Sequence, residues 1–239
     1  MLTKEGELVL KKALRIAGLW YLMLAIAGSY ILFVRSQTIV SGDAIATARN
    51  IVEKEFLYRT GIVSSLLSSV VFVFLVLALY KLFENVNLSK ARLMVALVIV
   101  QVPISFAIET FNIAAVMIAK GEIWKSLAQE ERQDSAMLFL KIHGYGISIL
   151  KVFWGLWLLP LGQLAYRSLF IPKILGILLI VGGVGYVLDS LVALLLPEYR
   201  QLVAPFALVH SLGEILIILW LLVKGVALKP PVILQAEIK

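Results

Sequence analysis

Residues 60–82 read TGIVSSLLSSVVFVFLVLALYKL, with no charged side chain before Lys81. A helix rises about 1.5 Å per residue, so this stretch matches the roughly 30 Å hydrocarbon core of a bilayer. Working outward, five more apolar stretches share the pattern: Ile16–Val34, Ala91–Ala119, Ala136–Tyr166, Pro172–Leu196 and Leu202–Val223. With Thr60–Leu82 they predict an all-α, polytopic membrane helical bundle of about six transmembrane helices, one domain over residues 1–239. The stretches at 91–119 and 136–166 exceed the length of a simple span. They are expected to tilt, to kink at Pro103 or Pro160, or to protrude.

The whole chain agrees with that reading. Of its 239 residues, 61% are hydrophobic and 15% charged, with a mean hydropathy of +0.97. A soluble domain carries about 25% charged residues, and this apolar excess needs lipid as its solvent. The connections leave no room for a soluble domain. A net charge of +7 would suggest nucleic acid in a soluble protein; here it is expected to reflect loops facing anionic headgroups, with no nucleic-acid partner. The chain has no cysteine, which excludes disulfides, thiolate catalysis and sulfur-bound metals.

Lys11, Lys12 and Arg15 precede the first apolar run, and Ala25-Ile26-Ala27 resembles a signal-peptide cleavage site. The run continues through Tyr30 to Val34, so an uncleaved signal anchor is expected. Placing both ends and the second and fourth loops on one side collects twelve Lys and Arg there, against nine on the other. The first side also has the shorter loops. The positive-inside rule then predicts cytoplasmic N- and C-termini in the cell membrane.

Two outer segments are more than turns. Ser41-Gly42-Asp43 reads as a helix start, followed by Ile45, Ala48, Val52 and Phe56 at helical spacing. An amphipathic helix on the outer surface is expected there. The charged segment Gly121–Ser135, with Trp124, could also be helical. Both segments serve either as interfacial connectors or as a lid over an outer cavity.

Further fragments occur in a fixed order along nearly the whole chain. They are Leu14-Arg15-Ile16-Ala17-Gly18-Leu19, Gly42-Asp43-Ala44, Arg59-Thr60-Gly61 and His143-Gly144-Tyr145, then Tyr166-Arg167-Ser168 and Ile171-Pro172-Lys173-Ile174-Leu175-Gly176. Gly185-Tyr186 with Asp189-Ser190 and Leu196-Pro197-Glu198-Tyr199 complete the series. Together they resemble domain-of-unknown-function family 4386, small bacterial and archaeal multi-pass membrane proteins. The resemblance implies an integral membrane protein and no established activity. Lys151, His210 and Glu214 match no motif of that family, so roles for them rest on this sequence alone.

Ionisable groups inside a bilayer are costly and mark functional candidates. This chain places six in its spans: Glu109, His143, Lys151, Asp189, His210 and Glu214. Counting from the span ends, Glu109, His143, Asp189 and His210 lie roughly 10–15 Å below the outer boundary, and Lys151 and Glu214 lie near the midplane. Helical spacing puts Gln101, Ser105, Glu109 and Asn112 on one face, and Gly144, Ser148, Lys151 and Gly155 on another. Gly182, Gly185 or Tyr186, and Asp189 form a third such stripe, and His210 and Glu214 are neighbours four apart. Ser65 and Ser68 face inward from the second span, with Arg59 at its mouth. The ordinary reason for such stripes is close helix packing.

The same residues admit three chemistries. His143, His210 and Asp189 could bind zinc or another divalent metal, with Glu109 or Glu214 as a base, although no cofactor is expected. Lys151 could pair with Glu214 or Asp189, for structure or as a proton relay. Arg35 and Arg59 could attract an anionic substrate or lipid headgroup, or could simply anchor at the interface. The best reading is binding or transport of a small solute, ion or lipid through a polar pocket in the outer half of the bundle, formed by Glu109, His143, Lys151, Asp189, His210, Glu214 and Arg59. The alternatives are a membrane-embedded, metal-dependent hydrolase, and a non-catalytic structural or partner protein. The bilayer is the one certain partner, and a homo-oligomer stays open.

Overall fold

The computed structural model of the protein describes residues 4–199 and 207–223; the side chains of Lys4, Glu5, Glu7 and 207–211 fall outside that description. Among the described residues, seven α-helices run α1 (Lys4–Thr38), α2 (Ala44–Glu53), α3 (Glu55–Phe83), α4 (Leu88–Ala119), α5 (Gln129–Arg167), α6 (Lys173–Leu195) and α7 (Ala207–Val223). A 3-10 turn, Pro197–Tyr199, follows α6. No strand occurs among the described residues. Five helices, α1 and α3 to α6, are long and apolar enough to cross a membrane. The expected sixth span begins at Leu202, and residues 202–206 lie outside the described ones. Its described part, α7, has 17 residues.

The long helices outrun the apolar stretches that announce them because polar turns extend them at their ends. α1 gains a turn at Arg35–Thr38, where the Thr38 hydroxyl donates to the Val34 carbonyl at 2.8 Å. α5 begins seven residues before Ala136, with Glu130 and Glu131 in its first turn, where carboxylates suit the positive helix end. Glu131 also accepts from the Ala128 amide at 2.8 Å. The segment Gly121–Ser135 is therefore helical only from Gln129 onward. Before it come turns with left-handed backbone at Gly121 (φ +68°) and Trp124 (φ +54°). Pro103 and Pro160 both lie inside continuous helices, α4 and α5. Each removes one backbone donor there.

The short helix α2 forms where expected. Gly42 supplies the positive φ of the turn, and the Asp43 carboxylate caps the helix by accepting from the Ala46 amide at 2.8 Å. Its apolar stripe divides, however. Thr47, Ala48 and Ile51 are buried, whereas Ile45, Val52 and Phe56 stay exposed, Phe56 at 83%. Thr47 also bonds the Val40 backbone at 3.0 Å, which fixes the inward face.

The chain groups into two compact units. One comprises residues 1–22, 72–100 and 151–239; the other comprises residues 23–71 and 101–150. Helices α1, α3, α4 and α5 each contribute one part to each unit.

In the first unit, Trp157 is buried against Phe72, edge to face at 4.8 Å, and Tyr21 at 6.0 Å. Helices α5 and α6 meet through glycines. A Cβ placed on Gly155 would lie 2.4 Å from the Gly183 carbonyl oxygen, and one on Gly162 2.7 Å from that of Gly176. These pairs sit seven residues apart on both helices, in antiparallel register. Small residues let helix backbones approach in lipid, where no hydrophobic effect drives association.

In the second unit, Val34, Ile51, Tyr58, Ile62, Ala115, Val116, Ala136 and Leu140 form the core. Helices α1 and α3 touch at Gly61, where an added Cβ would lie 2.8 Å from Val34.

Candidate functional site

The second unit holds a polar cluster built from four helices. Glu109 on α4 is buried, at 4% exposure, and so is His143 on α5. Ser65 on α3 donates to Glu109 Oε1 at 2.6 Å, and His143 Nε2 lies 3.3 Å from the same oxygen. Asn112, one turn along α4, donates its amide to Oε2 at 2.7 Å. The Tyr58 hydroxyl completes the chain by donating to Asn112 Oδ1 at 2.8 Å. Three donors aimed at its two oxygens suit Glu109 as the anion.

On the other side of the imidazole, Arg35 Nη1 lies 3.5 Å from His143 Nδ1. A guanidinium can only donate, so Nδ1 must accept. The proton of a neutral His143 then sits on Nε2 and points at Glu109. With the imidazole neutral, the row of guanidinium, imidazole and carboxylate carries one positive and one negative charge. Both ring nitrogens are engaged by protein, so a metal would have to displace Arg35 or Glu109 to reach them.

Beside the cluster is a cavity of about 30 Å³, lined by Arg35, Tyr58, Ser65, Glu109, Asn112 and His143 and by Ile31, Val34, Gly61 and Ile62. A water needs at least about 10–15 Å³ on this measure. The cavity therefore takes a water-sized guest, far below the roughly 300–1,000 Å³ of an organic-ligand site. Farther along the α4 stripe, the amide of Gln101 is buried with no hydrogen-bond partner among the described residues.

The remaining candidates lie elsewhere. Arg59 turns away from the cavity to Glu55, Nε to Oε1 at 2.7 Å, and is about half exposed. Glu55 also holds Lys120, at 3.0 Å. Lys120 lies just past the end of α4, and hydrogen bonds from its ammonium to Glu122 and then Glu55 push its pKa above the ordinary lysine value. In the first unit, Lys151 pairs with Asp189 at 2.5 Å rather than with Glu214. Glu214 instead accepts from the hydroxyls of Tyr21 at 2.7 Å and Tyr186 at 3.1 Å. The side chain of His210 is outside the described residues, which leaves the set His143, Asp189 and His210 unplaced. Among the described residues, no group of three or more His, Asp and Glu side chains could hold a metal ion.

Sequence reasoning named Tyr186 but missed Tyr21 and Tyr58. Tyr58 lies two turns before Ser65 and so shares its helix face, a signal that was available in the spacing. Tyr21 offered none, because an aromatic in an apolar run reads as packing until its partner is known.

An uncharacterized protein of Archaeoglobus fulgidus is 32% identical over 74 residues, covering 31% of this chain and 43% of that protein. The chain thus matches less than half the length of that relative. No solved structure matches the chain. A family model described as a domain of unknown function, DUF4386, matches residues 16–225. With nearly every described helix inside that match, the chain belongs to the DUF4386 family, and its apolar helices make it a multi-pass membrane protein.

Proposed function

We propose that the protein binds a small solute or ion at the Arg35–His143–Glu109 cluster and carries it through a six-helix bundle in the cell membrane. In this reading Leu202–Val223 is the sixth span, both termini are cytoplasmic, and the cluster faces the outer half. The carrying observation is a buried carboxylate–imidazole pair with a half-buried guanidinium beside a cavity, all within apolar helices. Such groups are costly in lipid, and packing alone does not require them. The cavity size favours an ion over an organic solute or a lipid. The unpaired Gln101 amide on the same face of α4 offers a second polar station.

A structural role suits the other charges better. Lys151 and Asp189 satisfy each other, and Glu214 is held by two phenols.

The test is a thermal-shift panel of small ions and solutes on the protein in mild detergent, followed by flux into vesicles. A shift that disappears in Arg35→Ala with His143→Ala supports the reading. A panel with no shift, on protein shown to be folded, removes it.

A further inference from the structure

We propose that the cavity beside Arg35 is a site for a small monovalent inorganic anion that binds together with one proton on His143. The inference rests on the small-ion reading above and names the ion's sign and its coupling.

The argument begins with charge counting in a place where uncompensated charge is expensive. Four elements of the second unit face the imidazole or the cavity: α1 brings Arg35, α3 brings Tyr58 and Ser65, α4 brings Glu109 and Asn112, and α5 brings His143 itself. Tyr58 is a neutral phenol that donates to Asn112. Arg35 carries a fixed positive charge, and Glu109 a negative one supported by three donors. With His143 neutral, the cluster sums to zero. An anion added then leaves a net negative charge in an apolar surrounding, which is disfavoured.

Protonation changes both the charge and the geometry. Nδ1 of His143 is the acceptor of the Arg35 guanidinium at 3.5 Å. A proton taken from water onto Nδ1 removes that acceptor and sets two cations face to face. Glu109 gains, since its partner through Nε2 becomes an imidazolium. Arg35 loses its hydrogen bond to the ring and keeps its five donors on the wall of the cavity. The cluster now carries one net positive charge. A guest of about one or two water volumes with one negative charge restores neutrality and satisfies the guanidinium, and a halide fits that description. Proton and anion therefore favour each other's binding, and linkage makes the effect reciprocal.

Two consequences separate this from a cation site. Wherever the empty protein holds His143 neutral, anion affinity falls by up to about tenfold per pH unit, since one proton is taken up for each anion bound. Glu109→Gln also has an unexpected sign. Removing the carboxylate leaves the cluster positive without any proton, so anion binding persists at the alkaline end and loses its pH dependence.

The experiment titrates sodium bromide into the full chain in detergent, in gluconate buffer across about pH 5 to 8. Binding is read by calorimetry, and proton uptake by an indicator dye in weakly buffered solution. Expected are tightening as pH falls, an alkaline drift on bromide addition, loss of binding in Arg35→Gln, and pH-independent binding in Glu109→Gln. The drift needs no variant, so the proposal stays testable even where a substitution prevents folding. Bromide binding that is flat in pH or tightens as pH rises overturns it, as does loss of bromide binding in folded Glu109→Gln. If sodium or ammonium binds instead, and needs Glu109, the small-ion reading stands and the anion assignment falls. If no ion or solute binds at any pH, both fall.

Discussion

Replacing Gly155 by alanine is the sharpest test of the packing that holds the first unit together. The new Cβ would lie 2.4 Å from the Gly183 carbonyl oxygen, 2.6 Å from a methyl of Val187 and 3.0 Å from the Val187 amide nitrogen. Ordinary contact begins at 3.4 Å, so α5 and α6 must part locally by about an ångström. Two of the three obstacles are backbone and cannot swing aside. Parting by that much forfeits a quarter to a half of each affected dispersion contact. Overpacking of this kind costs about 1–3 kcal/mol, and backbone obstacles place Gly155→Ala at the upper end. At about 2–4 °C per kcal/mol for a chain of this size, the melting temperature should drop by roughly 5–10 °C. The assay is a tryptophan-fluorescence melt in one detergent, with Gly144→Ala as control. Gly144 lies on the same helix, yet nothing stands within 4 Å of its added Cβ. There alanine should be neutral or stabilising by up to about 1 kcal/mol through helix propensity. Equal melting temperatures for folded Gly155→Ala and Gly144→Ala would refute the close α5–α6 contact.

Three further outcomes follow from the buried partners and the chain's lack of cysteine. Lys151→Met or Asp189→Leu alone leaves the other member of a largely buried pair uncompensated, at a cost of about 3–5 kcal/mol. Lys151→Met with Asp189→Leu should recover most of that loss, and a double variant as unstable as the sum of both singles would show the pair is not coupled. Tyr21→Phe removes the shorter, fully buried donor to Glu214 and should destabilise by roughly 1.5–3 kcal/mol, more than Tyr186→Phe; the reverse order in detergent melts would contradict the assigned bonds. Because the chain contains no cysteine, Glu84→Cys and Glu122→Cys each give one reactive thiol. An impermeant maleimide on intact cells should label Glu122→Cys and spare Glu84→Cys, and the opposite pattern would invert the proposed topology.

The fold was legible because lipid imposes a simple rule: long apolar stretches become helices that satisfy their own backbone. The stretch at 60–82 needed no further information, and α3 contains it. Helix ends were less legible, since polar turns such as Arg35–Thr38 continue a helix past the point where its hydropathy falls. The site was legible in part. Helical spacing placed Ser65, Glu109 and Asn112 on inward faces, and the cost of intramembrane charge singled out His143. What it could not show was which charges meet. Lys151 had two carboxylates within plausible reach in sequence, and only packing chooses Asp189. Arg59 and Arg35 both read as outer arginines, yet one turn of backbone gives Arg59 a glutamate four residues away on its own helix. Arg35 has no carboxylate at that spacing, and its guanidinium reaches the imidazole instead.

That difference bears on where function can reside. A charge whose partner is a neighbour on the same helix, or a single opposite charge as at Lys151–Asp189, is neutralised once and has no reason to change. The Arg35–His143–Glu109 row is different, because its middle member is an imidazole that can be neutral or carry a second proton. Its two ends therefore see either a neutral spacer or a cation. With Glu109 held by Ser65 and Asn112, the end left to respond is Arg35, which shares the cavity wall with it. Ser65→Ala with Asn112→Leu would loosen the fixed end and share the response between both, so anion binding should survive while its pH dependence weakens. Unchanged pH dependence in that variant would mean that Glu109 is held by the fold rather than by its hydrogen bonds.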